Sequence, residues 1–293
     1  MYDVIIVGGS YAGMAAALQL SRARRTVAII DADQRRNRFA ATSHGLLAQD
    51  GKSPTAIARE AREQLMHYPT VTWIEDSAVS ASRTGDAFTI GTGTDRTLAG
   101  KRIILASGVV DELPTIPGLA ERWGRSVFHC PYCHGYELDQ GPLGVIATGE
   151  SSMHQALLIP EWGPTTFFTN GVIDPDPEQL RQLKARGVTI EPAPVIGVEG
   201  TADVHLADGR VIGLAGLFVA STIHLSNPLP EQLGCELDES PLGVSVRTNG
   251  MQETTVQHVF AAGDIARPAG NLTFAIADGV MAGVATHRSL TIE

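Results

Sequence analysis

The chain is poor in cysteine and in positive charge, and each scarcity closes off a class of function. Three cysteines in 293 residues are too few to staple a fold, so no disulfide framework of the secreted type is expected. Lys and Arg number 22 against 32 Asp and Glu, a formal net charge of −10. Broad contact with a phosphate backbone or an anionic lipid surface needs clustered cations, so neither nucleic acid nor membrane is an expected partner. No run of 18 apolar residues occurs, and the start, MYDVIIVGGS, lacks the basic residues and small-residue cleavage site of an export signal. A cytoplasmic location is expected. No low-complexity stretch or solenoid period is present either. What is present is 43% hydrophobic residues, enough for a large core, over a length of about two domains at ~150 residues each.

Tyr2 to Val7 reads as a strand, Ala12 to Arg24 as a helix and Thr26 to Ile30 as a second strand. The turn between the first strand and the helix is Gly8-Gly9-Ser10-Tyr11-Ala12-Gly13, and Asp31 closes the second strand. This is close to the dinucleotide-binding fingerprint. Gly8 permits the tight turn, the third position lets backbone approach a pyrophosphate, and Gly13 lets helix pack on strand. Ser10 stands where a glycine is usual; it is small and can donate a hydrogen bond to phosphate. Asp31 suits a ribose hydroxyl pair. Two further segments, Lys101 to Gly108 and Val259 to Asp264, are apolar strands ending in small residues, and Leu272 to Leu290 reads as a long helix that tolerates its glycines.

Between these lies a block flanked by proline-rich turns that repeats the pattern: strand 143–147, helix 152–159, strand 165–169, helix 177–186, strand 188–190, then a hairpin at 203–206 and 210–212. The expected fold is therefore α/β, with two Rossmann-like, three-layer ββα domains. The first, residues 1–112 and 242–293, is split by the second, residues 113–241.

The inserted block opens with Phe128 to Glu137, FHCPYCHGYE. Cys130 and Cys133 are spaced for a reversible disulfide in a turn leading into a helix, whose N-terminus would favour a thiolate. His129 and His134 flank the pair and can carry the proton that thiol exchange moves near neutral pH. Competing readings are a zinc site made of these four residues and a thioredoxin-fold domain. The first is opposed because adjacent residues at both ends rarely converge on one tetrahedron, so no metal is expected. The second is opposed by the position of the motif after a nucleotide-binding unit. Cys235 has no partner in sequence and reads as a buried thiol.

With these motifs together, the chain resembles the thioredoxin-reductase-like FAD flavoproteins over its whole length. The resemblance implies FAD held by Gly8 to Gly13 at its pyrophosphate, by Asp31, by Ala106, Ser107 and Gly108 at the end of the third strand, and by Gly263 and Asp264 at the ribityl chain. Leu272 and Thr273 would aim amides at the reduced ring. Arg38, with Arg35 and Arg36, is a candidate for the FAD phosphates, His44 for the flavin edge, and Val79 completes the set. It further implies that Cys133 faces the flavin, that Cys130 exchanges with substrate, and that the protein is a homodimer.

Departures from that family narrow the expectation. His134 stands where thioredoxin reductases place an aspartate. The second dinucleotide loop, expected as Gly-x-Gly-x-x-Ala, reads Ala147-Thr148-Gly149-Glu150-Ser151-Ser152, and Thr169-Asn170-Gly171 follows the next strand where an NADPH reader would offer arginines. The motif CPYCHGYE and the degraded loop resemble the dithiol oxidases of the gliotoxin and holomycin type. That likeness implies a small-molecule dithiol as substrate and oxygen as acceptor, with His134, and secondarily His129, moving protons; Glu137 reads as structural. The alternatives are an NAD(P)H- or ferredoxin-dependent disulfide reductase and a non-catalytic redox sensor.

Overall fold

The computed structural model of the chain describes residues 1–292. These divide into two compact units. The first comprises residues 1–38, 53–110 and 223 onward, and the second residues 39–52 and 111–222.

In the first unit the strand Tyr2–Val7 is an unbroken apolar run with Val4, Ile5 and Ile6 fully buried, as expected of a parallel strand covered on both faces. It pairs in parallel with Val27–Asp31 on one side and with Thr97–Leu105 on the other. Val71–Glu75 lies beyond Val27–Asp31. The far edge of Thr97–Leu105 is shared: the hairpin strand Ala87–Thr92 pairs antiparallel with its first half, and Val259–Ala261 pairs in parallel with its second half. The strand ends at Leu105 rather than at Gly108, because the chain turns through Gly108, whose φ is +69°.

The helix Tyr11–Arg22 packs on the C-terminal helix Leu272–Ser289. Their glycines are required rather than merely tolerated. A side chain at Gly279 would strike the Ala12 carbonyl, and one at Gly283 would lie 2.7 Å from that of Ala16.

Residues 223–241, expected to end the inserted block, pack with the first unit instead. Leu229 and Cys235 are buried in one core with Ile5, Val7, Phe88 and Leu105, so the prolines at 228 and 230 mark a short helix, Leu229–Gln232, and not a boundary.

The second unit holds a five-stranded parallel sheet in the order Thr189–Glu191, Thr165–Phe168, Leu143–Ile146, Gly216–Val219, Val127–Phe128. Its longer helices are Ser151–Leu158 and Pro177–Ala185. The latter starts at a capping box in which the Asp176 carboxylate accepts from the Gln179 amide and the Gln179 side chain accepts from that of Asp176. The expected hairpin gains a third strand, Val195–Glu199. Among the described residues no helix is long and apolar enough to cross a membrane.

Candidate active site

The first unit gathers most of the residues read as cofactor ligands. Gly8 has φ +104° and its backbone lies so close to Ala106 and Ser107 that a side chain would overlap the Ala106 carbonyl. A Cβ on Gly9 would sit 2.6 Å from the Trp73 ring and 2.7 Å from Asp31 Cβ, and one on Gly13 would collide with the Gly8 carbonyl. The three glycines thus form a tight cradle at the start of the helix, whose N-cap Ser10 makes no side-chain cap bond. The Gly9 amide donates to Asp31 Oδ1 at 3.1 Å. Burial pushes the Asp31 carboxyl up, with that amide pulling the other way. Tyr11 and Ala12 are buried; the Tyr11 hydroxyl donates to the Pro54 carbonyl at 3.1 Å.

Gly263, at φ +81°, brings the turn after Val259–Ala261 against Ala12. The next residue, Asp264, accepts from Arg36 Nη1 at 2.9 Å through Oδ2. Leu272 and Thr273 open the C-terminal helix, where Asn271 Oδ1 accepts from the Phe274 amide at 2.8 Å. Arg38 donates to the Arg35 carbonyl at 2.8 Å. Val79 stands half exposed on the edge strand Ala78–Thr84, two residues past Ser77, which lines a surface cavity of about 350 Å³ with Asp31, Asp33, Arg62, Glu75 and Asp76.

Ser107 Oγ, Arg35 Nε and Asn37 Oδ1 are buried with no hydrogen-bond partner among the described residues. Buried polar atoms are normally paired. A glycine cradle at a helix start, a carboxylate at the end of the second strand and these orphaned polar groups fit FAD. Asn37 and Trp73 were not singled out from sequence; the Arg-Arg-Asn run shortly after the second strand, read only for its arginines, is the one signal available for Asn37.

The dithiol belongs to the second unit. Cys130 and Cys133 form a disulfide with Cα atoms 5.4 Å apart. The helix expected after them is a single turn, Pro131–His134, too short for a macrodipole to favour a thiolate appreciably. Phe128, on the buried strand before the pair, stacks with His134 at 4.4 Å between ring centroids and 21° between planes. Burial lowers the His134 pKa, partly opposed by the Glu137 carboxylate, so near neutral pH the imidazole is uncharged and able to accept a proton. His129 tilts against Trp123 at 5.9 Å. Gly135 is needed because the Trp162 ring lies where a Cβ would be.

His44, expected at the flavin edge, is part of the second unit. Its Nδ1 lies 3.3 Å from Glu137 Oε1 and 3.5 Å from Asp50 Oδ2, and its Nε2 is 3.2 Å from Thr42 Oγ1. Phe39, Thr42, Arg125, Phe128, His134 and Glu137 line a cavity of about 390 Å³ in this unit. Cys235 is free, buried, and bonded to Thr254 Oγ1 at 3.5 Å. Among the described residues no group of three or more His, Cys, Asp or Glu is placed to hold a metal ion.

The second dinucleotide loop is closed by its own side chains. The Thr148 amide donates to Ser152 Oγ at 2.9 Å, Thr148 Oγ1 donates to the Ala220 carbonyl at 2.8 Å, and the Ser152 amide turns inward to the Gly149 carbonyl at 3.0 Å. Asn170 Oδ1 is occupied by the Val195 amide at 2.8 Å. Arg210, a cation of this unit, is spent in a fork on Glu191 with contacts of 2.6 and 2.9 Å.

A Rossmann-type unit with a dinucleotide cradle, in one chain with a second such unit that carries a Cys-x-x-Cys disulfide, defines a flavin-dependent disulfide oxidoreductase. The chain belongs to the pyridine nucleotide-disulphide oxidoreductase family, whose pattern matches residues 2–160 and 174–282. It is 32% identical over 307 aligned positions to "Thioredoxin reductase sirT" of Leptosphaeria maculans, covering 97% of this chain and 92% of that protein. The crystal structure of an oxidoreductase from Agrobacterium tumefaciens superposes with a TM-score of 0.97 at 52% identity, covering 99% and 98% of the two chains. That of HlmI superposes with a TM-score of 0.93 at 31% identity, covering 99% and 92%. The protein is a thioredoxin-reductase-like disulfide oxidoreductase that binds FAD.

Proposed function

We propose that this protein is a dithiol oxidase, which closes a disulfide in a small-molecule dithiol and delivers the electrons to oxygen. The observation that carries this reading is the self-satisfied second loop. Its Thr148 amide is taken by Ser152, and the Glu150 carboxylate adds negative charge where a pyrophosphate would sit, so NADPH finds a poor site. The reaction balances as R(SH)₂ + O₂ → RS₂ + H₂O₂.

One substrate thiolate attacks Cys130 Sγ, breaking the Cys130–Cys133 bond and releasing the Cys133 thiolate. The second substrate thiol, its proton taken by His134, then attacks the substrate sulfur of the mixed disulfide and releases Cys130. FAD supplies the two-electron acceptor that the reduced pair needs and the outlet to oxygen. Gly8 to Gly13, Asp31, Ser107 and Asp264 would hold it. Homodimerisation and a cytoplasmic setting are part of the same proposal.

The test is an anaerobic titration of the holoenzyme with a small dithiol and, separately, with NADPH, following flavin absorbance. Bleaching by the dithiol alone is expected. Bleaching by micromolar NADPH would overturn the reading and favour the second one, a pyridine-nucleotide-dependent disulfide reductase, which is supported by the names that relatives such as sirT carry.

A further inference from the structure

The helix Ser151–Leu158 holds the place where a nucleotide-binding unit receives its pyrophosphate, yet its inward face carries two buried polar side chains one turn apart. Ser152 is fully buried and closes the degenerate loop. Gln155 is 8% exposed, and its Nε2 donates at 3.0 Å to the carbonyl of His129, the residue before Cys130. Its other amide atom, Oε1, is buried with no partner among the described residues. Burying a primary amide for a single hydrogen bond is costly, and an apolar side chain of similar volume would fill the space at less cost. The contact it does make therefore calls for a role.

The peptide plane that carries the His129 carbonyl also carries the Cys130 amide. Holding the carbonyl fixes that plane, and with it the φ of Cys130, from which Sγ projects. On the other side of Cys130 its carbonyl accepts from the Cys133 amide at a long 3.3 Å, and Cys130, which caps a single helical turn, makes no side-chain cap bond. While the disulfide exists the two sulfurs hold each other. Once it is reduced, that constraint is gone and an external brace matters.

We propose that Gln155 is a positioning residue for the Cys130–Cys133 pair: by clamping the His129 carbonyl it keeps the two reduced thiols at high effective concentration for each other. The helix of the degenerate loop is thereby a brace for the dithiol. This rests on the pair being redox-active, the part of the proposed function that involves neither oxygen nor a particular substrate.

The experiment equilibrates the holoenzyme anaerobically in glutathione redox buffers, quenches with acid and counts Cys130 and Cys133 thiols by maleimide labelling and mass spectrometry. Gln155→Met keeps the volume and removes the donor. It should lower the equilibrium constant for closing the disulfide by about five-fold at every pH, roughly the worth of one ordinary hydrogen bond, while FAD content stays at the wild-type level. Gln155→Glu can donate when protonated and not when ionised. It should match wild type at acidic pH and fall to the Gln155→Met value as pH rises, a transition that a space-filling role would not produce. An unchanged constant in a folded Gln155→Met, or a Gln155→Glu profile parallel to wild type at all pH, overturns the proposal. Should Gln155→Met fail to fold, the Gln155→Glu profile alone decides. Failure of the NADPH test above would leave these outcomes untouched, so the two readings fall separately.

Discussion

His44 Nδ1 and Glu137 Oε1 stand 3.3 Å apart, joining the loop 39–52 to the segment that carries the redox pair. Glu137 also acts on His134, whose pKa it raises against the lowering effect of burial. The carboxylate, read from sequence as structural, is thus an electrostatic neighbour of both histidines.

Glu137→Gln should move the acid limb of the kcat/KM profile for dithiol oxidation to lower pH. Proton acceptance needs neutral His134, and without the carboxylate its imidazolium is less stable still. Steady-state oxygen consumption across pH 5 to 8 measures this, and an acid limb that stays in place would separate His134 from the proton transfer.

The same depressed pKa fixes how stability responds to acid. His134 in the folded chain holds its proton less tightly than in the unfolded chain, so on acidification through the ordinary histidine range the unfolded state binds more protons and stability falls. His134→Phe, which keeps the stack on Phe128, should flatten that part of a plot of urea midpoint against pH.

Arg36 and Asp264 form a pair in the first unit at 2.9 Å. Arg36→Ala leaves Asp264 without this partner and should weaken FAD retention by about tenfold, the scale of one charge-assisted hydrogen bond. Equilibrium dialysis against free FAD reads this directly, independent of turnover. Asp264→Ala should lose more, because the carboxylate is the group assigned to the cofactor.

Gly279→Ala should destabilise the protein by about 1–3 kcal/mol, since the added methyl meets the Ala12 backbone and not a movable side chain. Thermal unfolding of the apoprotein checks it. An unchanged midpoint would mean that the two helices can separate without cost.

Ser152→Ala leaves the Thr148 amide without its acceptor and should cost about 1–2 kcal/mol of stability. The second unit's urea unfolding, followed through the fluorescence of Trp162, reads it. A wild-type midpoint would show that the loop does not depend on this bond.

Both βαβ patterns were legible because periodicity and punctuation are local: YDVIIV and LGVI are buried parallel strands, and Gly8 and Gly13 announce the turn between strand and helix. The departure of residues 147–152 from the second fingerprint was legible for the same reason. Gly279 read as a mere tolerance, since its necessity comes from Ala12, far away in sequence. His44 was legible as a candidate for the flavin edge, but its neighbour Glu137 was not, because nothing local to SHG says which unit the loop joins. Gln155 gave no signal at all: a glutamine on a short helix is ordinarily solvated, and its meaning lies in a backbone carbonyl contributed by another segment.

The shared edge of Thr97–Leu105 bears on the order of events at the ribosome. Half of that edge is filled by the hairpin that precedes it, but the rest waits for Val259–Ala261, which is synthesised only after every strand from Val127 to Val219 has emerged. The redox-carrying unit can therefore complete its sheet while the cradle-bearing one still presents open hydrogen-bonding groups. Nascent chains stalled before the last strand would be the species most in need of chaperone cover.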